Sequence, residues 1–116
     1  MQTNRRKSIR YRVAVTAEVD ITDDTWVGET RDVSVDGASI ILDREVKEGE
    51  KVGVTLILTQ DGIEDAREEP FQTQADVIWS APTDAGPWIA GLRFKKLGQR
   101  QSRQLERFLK ACTNPK

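Results

Sequence analysis

From Tyr11 onward the chain alternates. Val13, Val15, Ala17, Val19 and Ile21 share one face, and Thr16, Glu18 and Asp20 share the other. A period of two marks a strand buried on one side. "ITDDT" (21–25) reads as a turn, and "WVGETRDVS" (26–34) as the returning strand. "VDG" (35–37) breaks that strand and "ASIIL" (38–42) resumes. After a turn at Gly49, Val52, Val54, Leu56 and Leu58 again line one face. "QDGIEDAREEP" (60–70) reads as a polar, mobile tip, with Asp61-Gly62 at its start. Two more strands are predicted at "FQTQADVIWS" (71–80) and "PWIAGLRFKK" (87–96), separated by "APTDAG". In the last of these Trp88, Ala90, Leu92 and Phe94 face one way, with Ile89, Gly91 and Arg93 opposite.

The period changes at the end of the chain. Leu105, Phe108, Leu109 and Cys112 recur as i, i+3, i+4, i+7, surrounded by Arg100, Arg103, Arg107 and Lys110. That is one amphipathic helix. Several short strands joined by Gly/Asp/Pro turns, followed by one helix, predict a small antiparallel barrel or sandwich. The helix then plugs an open end or packs on the wall. No internal repeat or second domain is visible.

With 116 residues the chain suits one compact domain with one core. It contains no apolar run long enough to span a membrane, and no apolar segment follows the basic N-terminus as a secretory signal requires. The single cysteine, Cys112, has no partner for an intramolecular disulfide, which fits a reducing, cytoplasmic setting.

The net charge of −1 conceals a segregation: +5 over residues 1–12, −13 over the middle and +7 over residues 93–116. A general polyanion binder favours a broad positive face, so an acidic body between basic ends points to a small, local anion site. Histidine is absent. That removes serine–histidine and cysteine–histidine catalysis and most zinc sites. No phosphate loop or Gly-rich nucleotide fingerprint is present. The expectation is a binding protein, not an enzyme, with no catalytic residue and no metal.

Two short elements form a binding pair. The first is Arg6-x-x-x-Arg10, preceded by Arg5; the second is Asp32-x-Ser34-x-x-Gly37. An arginine fork clamps a phosphate or the O6/N7 edge of guanine, and stacks on a base. Asp32 offers two acceptor oxygens to guanine N1–H and its exocyclic amine. Ser34 adds a compact hydroxyl. Gly37 suits a tight turn with positive φ and a close approach of ligand to backbone. Each element alone also has a plain reading, as a solvated tail and as an Asx-type strand end.

The two motifs in this order, ahead of a β-rich body, resemble the PilZ domain, the bacterial receptor for cyclic di-GMP. "RYRV", "VIWS", "GLRF" and "RQLERFL" resemble that family's later landmarks, so the likeness runs from about Arg5 to Lys110. The resemblance implies an all-β fold with one helix: a six-stranded antiparallel split barrel over 13–97, a C-terminal helix over 98–112, and a flexible basic arm over 1–12. It implies that Arg6 and Arg10 hold phosphate and guanine, Asp32 and Ser34 face a guanine, and Gly37 shapes the turn beneath. Arg5 would admit a second, intercalated ligand, giving one or two molecules of cyclic di-GMP per chain. Arg93 and Trp79 are further candidates for the pocket wall, although Trp79, like Trp88, reads equally well as a core aromatic. The implied function is a receptor whose arm orders over the dinucleotide and signals to a downstream protein partner, with no nucleic acid bound. Two alternatives stand beside it, a PilZ-like adaptor that binds no nucleotide and a small-barrel nucleic-acid binder.

Overall fold

The computed structural model describes residues 9–58 and 70–112. The polar tip predicted for 60–70 lies outside the described residues except for Pro70, as do Arg5 and Arg6. In chain order the elements are β1 (Tyr11–Arg12), β2 (Thr16–Ile21), β3 (Asp24–Val33), β4 (Gly37–Leu42), β5 (Lys51–Leu56), β6 (Phe71–Pro82), β7 (Trp88–Phe94) and α1 (Gln99–Ala111). All pairings are antiparallel. The sheet runs β3-β2-β5-β6-β7-β4, and β4 returns to pair with β3. Six strands therefore close into a barrel, with the short β1 paired to β3 beside it.

The interior is filled by the faces that the alternation predicts. Val15, Ala17 and Val19 meet Val52, Val54 and Leu56, joined by Ala38, Ile40, Ala90, Leu92 and Phe94. The Phe71 and Phe94 rings lie 5.3 Å apart at a tilt of 57°, an arrangement that suits two aromatic quadrupoles. Leu105, Phe108 and Leu109 of α1 are buried in this same cluster. Strand residues that point into a closed barrel can be reached only from an open end, so α1 acts as the plug. At its start Gln101 accepts the Gly98 N–H (3.0 Å) and donates to the Gln72 carbonyl. One side chain thereby caps the helix and anchors it to β6.

β1 and β2 are one strand interrupted at residues 13–15, and Thr30 of β3 bridges the interruption. Its hydroxyl donates to the Val13 carbonyl (2.6 Å) and accepts the Val15 N–H (2.9 Å). The β2–β3 connection is the two-residue loop Thr22-Asp23, with Thr22 at φ 55°. Such tight hairpins demand left-handed backbone. Thr25 also donates to Asp20 at 2.6 Å across the loop.

Two one-residue bulges break the ladder. In β3, Thr30 pairs with Ile40 and Asp32 with Ser39, so Arg31 is extra. In β6, Val77 pairs with Leu92 and Trp79 with Gly91, so Ile78 is extra. Each extra residue exchanges the inward and outward faces for the rest of its strand. Thr30 and Val33 both point inward as a result, with Asp32 outward between them. Without the second bulge, Trp79 would follow Val77 into the core.

Candidate functional site

The bulges assemble one row of residues across the outside of the barrel. Asp32 on β3 pairs with Ser39 on β4, Ser39 with Gly91 on β7, and Gly91 with Trp79 on β6. This row floors a groove of about 610 Å³, within the range of small-molecule sites. The indole of Trp79 lies directly over Gly91, where an added Cβ would come within 2.2 Å of its Nε1. Glycine is therefore what allows an aromatic to lie flat on this part of the floor. Ile78 extends the apolar wall, and Arg10, Asp36 and Arg93 supply charge around it.

The Asp32 carboxylate is guarded by two arginines. Its side chain is 14% exposed, with Arg10 Nη1 at 3.8 Å and Arg31 Nε at 3.4 Å. Arg10 itself is half exposed, so its contact with Asp32 is long and easily exchanged for another anion. Its place follows from β1, where Arg12 pairs with Asp32 and Tyr11 with Val33. The first described residues of the arm are thus tied to the strand that carries the carboxylate.

Ser34 and Gly37 build the β3–β4 turn. The Ser34 N–H donates to the Gly37 carbonyl (2.8 Å), and the Ser34 hydroxyl accepts the Asp36 N–H (3.1 Å). The Asp36 carbonyl in turn accepts the Phe94 N–H (2.8 Å), pinning the turn to β7. The positive φ expected at Gly37 is not found. Among the described residues only Thr22, Gly49 and Gly86 are left-handed. Gly37 instead pairs with Arg93, so close to β7 that a Cβ would lie 2.0 Å from the Leu92 carbonyl oxygen. The glycine serves the approach of two backbones.

Of the residues expected at the site, Arg10, Asp32, Ser34, Gly37, Trp79 and Arg93 line this one groove. Ser39 was not anticipated, since nothing in "ASIIL" marks a serine only 2% exposed as part of a groove floor. The Gly91 seat was legible only in part, as a glycine on the same face as Arg93.

A family model for the PilZ domain matches residues 4–111. The chain belongs to the PilZ domain family. Among solved structures, this PilZ chain is similar to the Bacillus subtilis inhibitor of motility MotI/DgrA, with TM-score 0.75 at 12% identity over 95% of this chain and 52% of that one. It is also similar to the PilZ domain of YcgR from Escherichia coli, solved with c-di-GMP, with TM-score 0.71 at 17% identity over 94% and 92%. The K. pneumonia MrkH–c-di-GMP complex matches with TM-score 0.62 at 15% identity over 92% and 51%. The chain spans about half the length of the Bacillus and MrkH proteins. No protein with a curated description matches it by sequence. Among the described residues no helix is long and apolar enough to cross a membrane.

Proposed function

We propose that this PilZ domain is a cyclic di-GMP receptor and that the groove over Gly91 is its ligand site. The observation that carries this reading is the convergence of Arg10 with Asp32, Ser34 and Gly37 on one groove, from motifs more than twenty residues apart in sequence. A guanine edge with two N–H donors matches the Asp32 carboxylate, a phosphate matches the arginine forks, and a purine face matches the Trp79–Ile78 wall. Two of the structural relatives were solved with the same dinucleotide, which supports the choice of ligand.

In this reading the ligand takes Arg10 from Asp32, freeing the carboxylate for guanine, while Arg6 joins Arg10 on phosphate as the arm closes. Arg5 admits a second ligand. The closed arm is the signal, passed to a downstream protein. A calorimetric titration with cyclic di-GMP, with GTP and linear pGpG as controls, tests it. Selective binding lost in Arg10→Ala, and stoichiometry falling from two to one in Arg5→Ala, are the expected results. A folded protein that shows no heat with cyclic di-GMP leaves the adaptor reading in its place.

A further inference from the structure

A second groove lies on the other side of the same two segments. It encloses about 540 Å³, and its floor is apolar, formed by Ile9, Tyr11, Val35 and Leu109. Its rim is the outer face of α1, where Arg103, Arg107 and Lys110 outweigh Glu106. Ile9 is 57% exposed and Val35 37%, and because both line this one groove they form an apolar patch outside the core and the ligand groove.

The two grooves share backbone. Arg10 lines the ligand groove, and its neighbours Ile9 and Tyr11 line the second. Ser34 and Asp36 line the ligand groove, and Val35 between them lines the second. Alternate side chains point to opposite sides along the extended chain entering β1, and the β3–β4 turn divides its side chains between the same two grooves, so both segments carry ligand chemistry on one side and apolar surface on the other.

We propose that this second groove is the docking site for an acidic amphipathic segment of a partner protein, and that occupation of the ligand groove tightens it. Apolar residues spaced i, i+3, i+4 and i+7 on the partner would lie on Ile9, Tyr11, Val35 and Leu109, with flanking carboxylates against the α1 rim. A nucleic acid fits less well, because the floor between the cations is largely aliphatic. The coupling rests on the receptor reading above. Ligand that fixes Arg10 and the turn also fixes Ile9, Tyr11 and Val35, so the wall is in place before the partner arrives and less conformational freedom is lost on docking.

The test uses the full chain and a labelled short helical peptide with leucine at those spacings and glutamate elsewhere, against the same peptide with lysine for glutamate. Fluorescence anisotropy should show the glutamate peptide binding at least about tenfold more tightly. Arg103→Glu, Lys110→Glu and the floor variant Ile9→Glu should each abolish that preference or weaken binding about tenfold. Circular dichroism should show all of them folded, and Arg103→Glu and Lys110→Glu should titrate cyclic di-GMP as the parent does. Saturating cyclic di-GMP should raise peptide affinity. Equal affinity for both peptides, or indifference to all three variants, overturns the docking site. Self-association abolished by Lys110→Glu gives the groove to a second copy and also overturns it. Peptide binding that persists in a chain with no heat toward cyclic di-GMP refutes the receptor reading and the coupling, but leaves the docking site standing.

Discussion

Replacing Gly37 by alanine separates two reasons for a glycine in the Asp32-x-Ser34-x-x-Gly37 motif, room for a ligand and room for a strand. The new Cβ would sit 2.0 Å from the Leu92 carbonyl oxygen and 3.1 Å from its carbon, both backbone atoms of β7. No side-chain rotation relieves such contacts, so β4 must withdraw by about 1 Å beside its pairing with Arg93, an overpacking that costs about 1–3 kcal/mol. The withdrawal also stretches the Phe94 N–H bond to the Asp36 carbonyl, now 2.8 Å, for about a further 1 kcal/mol. A loss of about 2–4 kcal/mol lowers the melting midpoint of a chain this size by roughly 8–16 °C. Scanning calorimetry on the ligand-free protein reads it directly. Gly49→Ala is the control, since its backbone is left-handed (φ 93°) with open space around it, and about 1 kcal/mol is expected there. A Gly37→Ala protein that melts with the parent yet no longer binds cyclic di-GMP would refute the argument and assign the glycine to the ligand.

Thr30→Val keeps the shape of a residue only 1% exposed but leaves the Val13 carbonyl and Val15 N–H without their partner, so urea unfolding should show a loss of about 1–3 kcal/mol. Gly91→Ala should unseat the Trp79 indole, shifting tryptophan emission to the red and weakening cyclic di-GMP binding about tenfold or more, with less effect on stability than Gly37→Ala because a side chain, not backbone, gives way. Burial raises the Cys112 thiol above its ordinary value, so at pH 8 it should alkylate more slowly than free cysteine, which a timed iodoacetamide reaction followed by mass spectrometry will show.

The barrel was legible wherever one strand keeps one phase. Val15 to Val19, Val52 to Leu56 and Ala90 to Phe94 announce their inward faces by alternation, and Leu105, Phe108 and Leu109 announce the plug. The two arginine and aspartate motifs were legible as chemistry because few residue types clamp an anion and read a guanine edge. What stayed hidden came from places where geometry changes without a change in composition. Neither Arg31 nor Ile78 looks different from a paired strand residue, so nothing in the sequence marks the shift of phase that aims Asp32 and Trp79 outward. Gly37 looks like a turn glycine, and only the neighbouring β7 backbone reveals why it must be bare. Tyr11 and Arg12 read as the end of an arm, but pairing with Val33 and Asp32 makes them the start of the sheet.

The two bulges also set a rule for how this domain can vary. Thr30 and Asp32 oppose the adjacent residues Ile40 and Ser39, and Val77 and Trp79 oppose the adjacent residues Leu92 and Gly91. Removing Arg31 or Ile78 would therefore restore plain alternation with every later side chain facing as it does now. What would go is the local bend and, with it, the Arg31 contact to Asp32 or the Ile78 part of the groove wall. Relatives one residue shorter at either place can therefore keep the same inside and outside, and a gap there is a change of contour rather than of fold.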